Sequence, residues 1–204
     1  PVGRDTVLVV FSEVVGMDTA TVTDPANYRL VRGGGTSIFG DGDDVELTGD
    51  LAAVTFDAAS RTARLRFNTA FVDDYYQLTV VGTTSVKDLA GNKLNGGADY
   101  VSSAELVTTL SRIALDLAAG SDSGASATDR ITNVTTPTID VTVDKAGQIQ
   151  IDFDGNGTFD ASQAVAAAGV YSFTAATVLA DGVYQMKAKF TPALGSAVEA
   201  VMPV

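Results

Sequence analysis

Hydrophobic and polar residues alternate with a period of two along most of this chain. Val7-Leu8-Val9-Val10-Phe11 is a β-rich run closed by Ser12-Glu13. Asn27-Tyr28-Arg29-Leu30-Val31 alternates, and Gly33-Gly34-Gly35 breaks it. Val54-Thr55-Phe56 and Ala63-Leu65-Phe67 put their apolar groups on one face, and the intervening Asp57-Ala58-Ala59-Ser60-Arg61 predicts a hairpin loop. A further run, Tyr76 to Val81, stops at Gly82, and the stretch from Tyr100 to Val107 reads as one more strand. The second half repeats the style in Ile113–Leu117, Thr138–Val143, Gln148–Phe153, Tyr171–Phe173 and Tyr184–Phe190. No segment carries a long helical stripe with caps at both ends; Asp24-Pro25-Ala26-Asn27 predicts a single helical turn.

Each half therefore holds six or seven short strands, the count of an immunoglobulin-like sandwich. An internal repeat relates the halves. Asp73-x-x-Tyr76-Gln77-Leu78 matches Asp181-x-x-Tyr184-Gln185-Met186. A Tyr near the start of the sixth strand of such a sandwich bonds back across the corner, and the bulky residue two places on points into the core. Leu78 and Met186 take that second place. The fold expected is all-β, two immunoglobulin-like sandwiches in tandem over residues 1–110 and 111–204. The joint near Thr108 to Ser111 is short and lacks a Pro/Gly tract, so a limited range of orientations is expected.

Composition narrows the chemistry. The chain has 204 residues, is 46% hydrophobic, and contains neither Cys nor His. Disulfides, thiolate zinc sites, Cys nucleophiles and a Ser-His-Asp triad are excluded on that ground. The net charge of −12 argues against nucleic acid and against docking on anionic lipid. It suits hard cations, and equally a solvated acidic surface. No apolar run is long enough to cross a bilayer. Pro1-Val2-Gly3-Arg4 runs straight into a strand, as expected of a fragment or a mature segment.

Catalysis finds little support. Asp43-Asp44 and Asp73-Asp74 are adjacent pairs, and neighbours on a strand point to opposite faces. Gly33-Gly34-Gly35 lacks the Lys and helix of a phosphate loop.

The sharpest local feature is Asp152-Phe153-Asp154-Gly155-Asn156-Gly157-Thr158-Phe159-Asp160. Oxygen side chains at positions one, three, five and nine, with Gly at six, follow a calcium loop. Position twelve is Gln163 rather than Glu, and the flanks read as strands. A hairpin with a polar Asn156-Gly157 tip fits the same residues. Phe39-Gly40-Asp41-Gly42-Asp43-Asp44 is a second acidic loop, readable as a cation site or a solvated tip.

Three stretches of the first half resemble the bacterial Ig-like domains found in tandem in S-layer-associated and large surface proteins. They are Val9-Val10-Phe11-Ser12-Glu13-Val14-Val15, Asp24-Pro25-Ala26-Asn27-Tyr28-Arg29-Leu30 and Ser85-Val86-Lys87-Asp88-Leu89-Ala90-Gly91-Asn92. In the second half, Ser121 to Thr138 resembles the opening loop of a sister family, the Ig-like repeats of biofilm-associated and type I-secreted adhesins. Where that family usually closes with an Asp-x-Ala-Gly-Asn, this chain has Thr191-Pro192-Ala193-Leu194-Gly195-Ser196. The resemblance implies a non-catalytic spacer repeat of a secreted or cell-surface protein, an adhesin or biofilm type. Its partners would be neighbouring repeats of the same chain and a cell-surface or matrix ligand. It adds calcium candidates at Asp88 and Asn92 and at Asp122 and Asp129, beside Asp152, Asp154, Asn156 and Asp160. The alternative for Asp129 and Asn133 is turn capping. Two other functions stay open: a carbohydrate-binding module using Tyr75, Tyr100 or Tyr171, and a segment of an S-layer lattice.

Overall fold

The computed structural model describes residues 3–83, 86–126 and 128–204. Pro1, Val2, Ser85 and Ala127, named above, lie outside the described residues. The chain divides into two compact units, Pro1–Thr108 and Thr109–Val204. Both are β-sandwiches, as the alternating pattern predicts.

Unit 1 contains β1 (Thr6–Val10), β2 (Tyr28–Arg32), β3 (Val45–Glu46), β4 (Leu51–Asp57), β5 (Thr62–Phe67), β6 (Asp74–Val80) and β7 (Tyr100–Leu106). One sheet has the order β1-β5-β4 and the other β3-β2-β6-β7, with every pairing antiparallel. The inner faces meet in a core that includes Phe11, Tyr28, Leu30, Leu65, Phe67 and Val80. Those positions follow the period-two rule: β5 buries Ala63, Leu65 and Phe67 and exposes Arg64 and Arg66 between them. A short helix α1 (Thr19–Val22), capped by the Asp18 carboxylate on the Ala20 N–H, was not legible as a stripe because it is only one turn long. The expected turn at Asp24 is present as a tight helical turn over Pro25–Asn27, capped by Asp24 on the Ala26 N–H.

Unit 2 contains β8 (Ile113–Leu117), β9 (Thr138–Val143), β10 (Gly147–Asp152), β11 (Ala161–Val165), β12 (Gly169–Thr174), β13 (Gln185–Pro192) and β14 (Val198–Pro203). Its sheets run β12-β9-β8 and β11-β10-β13-β14, again antiparallel throughout. The core is built on Ile139, Val141, Ile149, Ile151, Met186 and Phe190, all fully buried. β3, β11 and β14 have sequences of weak or mixed alternation, which period two alone does not predict as strands.

The repeated tyrosines behave as the spacing predicts. The Tyr76 hydroxyl donates to the Val72 carbonyl at 2.9 Å and accepts from the Val72 N–H at 3.1 Å. Tyr184 donates to the Ala180 carbonyl, also at 2.9 Å. Each closes a four-residue span leading into its strand, and each ring packs against its core. Tyr171 makes a third such bond, to Ala167. Two places on, Met186 is fully buried opposite Met202, while Leu78 is only half-buried opposite Ser102.

Chain direction differs between the units. In unit 1, the Arg4 carbonyl accepts from Phe71 and the Thr108 N–H donates to Asp73, so the described chain starts and finishes at one pole. In unit 2, Ile113 pairs with Val143 at one pole, and Val204 bonds Tyr184 at the other.

Removing a corner bond costs about 1 kcal/mol, because the freed carbonyl turns to water. Tyr184→Phe is expected to lower unit 2's unfolding free energy by about that amount, and Tyr76→Phe to lower unit 1's by about 1–2 kcal/mol, since it loses two bonds. Urea unfolding followed by circular dichroism measures both. Phe190→Ala, at a fully buried position, is expected to cost about 3–5 kcal/mol.

Candidate functional site

The acidic hairpin joins β10 to β11, and its geometry is set by one buried carboxylate. Asp152 is 1% exposed. Its two oxygens accept from the Gly155 N–H at 2.7 Å and the Gly157 N–H at 2.8 Å. Both glycines have positive φ, 72° and 90°, which L side chains rarely adopt. The turn is therefore a wide loop wound about Asp152, with Gly155 as well as Gly157 in the left-handed region, rather than a two-residue Asn156-Gly157 tip. Asp154 accepts from the backbone and the side-chain amide of Asn156, at 3.0 and 2.9 Å. Asn156 in turn accepts from Thr158 N–H at 2.7 Å. Asp160 reaches back to the Phe153 N–H at 2.8 Å. Carboxylate oxygens of Asp152, Asp154 and Asp160 all lie within 4.8 Å of one another. The loop thus gathers three of the four predicted oxygen donors at one point, and each donor already serves a backbone N–H.

The β8–β9 loop is arranged differently. Asp129 accepts from Ile131 N–H at 3.1 Å and Ser126 N–H at 3.0 Å. These bonds, the Ile131 N–H first among them, hold its carboxyl below the usual carboxylate range. It rests on Gly124, where any Cβ would come within 2.4 Å of an Asp129 oxygen. Asn133 exchanges two bonds with the Ser123 hydroxyl, both 2.8 Å. The turn-capping role expected of Asp129 and Asn133 is therefore filled.

Asp122 has no such role. It is 7% exposed, and neither carboxylate oxygen has a hydrogen-bond donor among the described residues. Its neighbour is the Asp129 carboxyl, close enough for the two acids to share a proton. An ionised carboxylate removed from water without a donor or a counter-charge is strongly disfavoured. Both acidic loops of unit 2 lie at the pole that holds Val204: Asp152 pairs with Lys187 near the start of β13, and Leu179 N–H bonds Thr135 in the β8–β9 loop.

In unit 1, Asp88 and Asn92 come together, but on each other. Asp88 accepts from the Asn92 N–H at 2.7 Å and from its side-chain amide at 2.8 Å, while the Asp88 N–H donates to the Asn92 carbonyl. The Asn92 amide is the main reason the Asp88 carboxyl is held low. Gly91, at φ 87°, makes the loop closable. This pair is a loop lock whose oxygens are engaged.

Asp41, Asp43 and Asp44 form a further cluster in the β2–β3 loop. A hydrogen bond shared by Asp41 and Asp43 lowers the first and raises the second, the expected outcome when two exposed acids sit side by side. Among the aromatics weighed for a sugar platform, Tyr75 and Tyr171 are half-buried and only Tyr100 is exposed. None of the described helices is long and apolar enough to cross a membrane.

Residues 109–202 match the family described as "Bacterial Ig-like domain", and unit 2 is accordingly a bacterial Ig-like domain. No curated protein matches the chain. Among solved structures, the chain is similar to "Structure of surface layer protein SbsC, domains 1-6", at 11% identity and a TM-score of 0.38, over 98% of this chain and 38% of that one. It is also similar to "Crystal structure of tetra-tandem repeat in extending region of large adhesion protein", at 17% identity and a TM-score of 0.46, over 98% of this chain and 48% of that one. The chain thus spans less than half the length of either.

Asp152→Ala leaves two N–H groups of the hairpin without an acceptor and is expected to cost about 2–4 kcal/mol in urea unfolding, while Asp154→Ala at the exposed tip costs less than about 1 kcal/mol. Asp88 and Asp129 titrate below their unfolded values, so each stabilises its unit above the unfolded carboxylate pKa of about 3.9 and loses that contribution as pH falls through its folded value. Thermal midpoints recorded from pH 7 to pH 2 are expected to fall in this acid window, and Asp88→Asn is expected to reduce the acid sensitivity of unit 1.

Proposed function

We propose that the chain is a load-bearing spacer of a bacterial surface or extracellular protein, with calcium as a structural ion at the Val204 pole of unit 2. The family of unit 2 supports the first part. So does its topology. The backbone crosses unit 2 from the Ile113–Val143 pole to the Val204 pole, and antiparallel ladders bind each strand to the next. A module threaded in this way transmits tension between its ends across many hydrogen bonds. Its partners are neighbouring repeats of the same polypeptide, and a cell-surface or matrix ligand belongs to other parts of such a protein. This architecture calls for no catalytic residue.

The single observation that carries the calcium reading is Asp122, buried and without a donor beside Asp129. A divalent ion supplies the missing counter-charge, and oxygen-only ligands suit calcium. The three clustered carboxylates of the β10–β11 loop offer a second position of the same chemistry. In Asp88 and Asn92, by contrast, the oxygens are committed to the loop lock, so these two are the weakest of the candidates.

Calcium binding to the folded form alone stabilises it by about 2.7 kcal/mol at a hundredfold excess over Kd. Millimolar calcium, compared with EDTA, is expected to raise the unfolding midpoint of unit 2 by several degrees, with magnesium giving a smaller rise. Asp122→Asn is expected to abolish most of the calcium-specific shift while raising the midpoint in EDTA. If calcium and EDTA give the same midpoint, calcium is not a structural ion here and the spacer reading stands without it.

A further inference from the structure

Six asparagines stand in the chain, and only Asn95 and Asn156 precede a glycine. The other four precede Tyr, Thr, Lys or Val, whose side chains crowd the following amide nitrogen. That nitrogen is a built-in nucleophile for the asparagine side chain. Once it has lost its proton to hydroxide, it can attack Cγ. The new C–N bond closes a five-membered imide, and the side-chain nitrogen leaves as ammonia. Water then opens the imide at either carbonyl, giving aspartate or isoaspartate. A glycine nitrogen is the most open attacker, because no Cβ stands beside it. Both Asn-Gly pairs are exposed, so sequence and burial rank them equally.

Their hydrogen bonds separate them. In the β10–β11 hairpin the attacking group is already engaged, since Gly157 N–H donates to the buried Asp152 carboxylate at 2.8 Å. That negative charge also opposes loss of the proton. The Asn156 side chain is held at both ends, its oxygen by the Thr158 N–H at 2.7 Å and its amide on Asp154 at 2.9 Å. Ring closure there requires all of these bonds to break together. Asn95 lies between β6 and β7, in the tight helical turn Leu94–Gly97. Its side-chain amide donates to the Asp99 carbonyl at 3.3 Å, longer than the usual range. Its backbone is left-handed, with φ 50° and ψ 35°. An L residue is mildly strained there, so turning ψ to bring the next nitrogen over Cγ gives up little. The space around Gly96 is open: a Cβ placed there would have no neighbour within 4 Å.

We infer that Asn95 is a site of spontaneous deamidation in the folded chain, with hydroxide and water as co-reactants, and that Asn156 is shielded from the same reaction by Asp152. The consequence follows from the seat of the turn. Leu94 N–H donates to the Val86 carbonyl at 2.8 Å, Ala98 N–H donates to the Asn95 carbonyl at 3.2 Å, and the Leu94 side chain packs on the core of unit 1. The turn rests on Gly82, where any Cβ would stand 2.0 Å from the Ala98 carbonyl oxygen and 2.7 Å from that of Leu94. Isoaspartate at position 95 adds a methylene to the main chain, over a seat that has no slack. It also turns the carbonyl that accepts the Ala98 N–H into a free carboxylate. The isoaspartate product therefore destabilises unit 1, whereas aspartate, which keeps the main chain intact, does so far less. Neither calcium nor the spacer role enters this chemistry.

The test ages the 204-residue chain in EDTA at mildly alkaline pH, folded and in urea. Peptides carrying Asn95 and Asn156 are followed by mass spectrometry, with fragmentation that tells isoaspartate from aspartate. In the folded chain Asn95 is expected to convert about tenfold faster than Asn156 or more, because Asn156 reacts only through local opening of its hairpin. In urea the two are expected to convert at similar rates. Equal rates in the folded chain, faster conversion of Asn156, or a difference that persists undiminished in urea overturns the inference. Unit 1 of the aged chain is expected to unfold at lower urea than unit 1 of Asn95→Asp, which stays near the parent. An aged unit 1 as stable as Asn95→Asp overturns the effect assigned to the seat on Gly82.

Discussion

Apolar contact between two facing sheets is the interaction on which each half of this protein depends. With no cysteine in the chain, no covalent tie crosses either core. Fully buried side chains such as Leu65 and Phe67 in unit 1, and Ile149, Met186 and Phe190 in unit 2, do the joining. Met186 shows how this works at the position where antibody domains carry a sheet-linking cysteine: a flexible, fully buried side chain fills the space and supplies contact rather than a bond. The tyrosine corners complement the cores at their margins. Tyr76 and Tyr184 each place an apolar ring against a core and a hydroxyl on a loop carbonyl, so the turn and the packing reinforce each other.

The acidic character of the chain is spent largely on loops. Asp24, Asp57, Asp88, Asp129 and Asp152 all accept backbone N–H groups that would otherwise lack partners at strand and helix ends. Such carboxylates hold loop geometry without a cation. Asp122 stands apart because its burial comes without that compensation. The same contrast runs through the sandwiches. Unit 2 closes its open side with β8 against β14, while unit 1 leaves a groove beside β1.

The motifs of unit 1 acquire physical roles in this frame. Within Asp24-Pro25-Ala26-Asn27-Tyr28, Asp24 caps the turn, the buried Asn27 amide bonds the Thr21 carbonyl at 2.7 Å, and the Tyr28 hydroxyl bonds the Val22 carbonyl at 2.7 Å. Burial raises the Tyr28 hydroxyl well above its ordinary pKa, so it stays a donor at any physiological pH. The stretch is a clasp between α1 and β2 rather than a binding surface.

Period-two alternation is a property of the chain itself, and it sufficed for the all-β class, for most strands and for the tyrosine corners, whose four-residue span is local. The oxygen spacing from Asp152 to Asp160 was legible for the same reason, since one short loop brings those side chains together. Three things were decided only by tertiary structure. β3, β11 and β14 depend on the partner strand, because their own sequences alternate weakly. Asp122 and Asp88 read alike in sequence, yet one is left without a donor and the other is locked to Asn92, because donors arrive from loop folding rather than residue type. The open side of unit 1 depends on which strand lies beside which, and strand order is set by long-range packing that a local pattern does not encode.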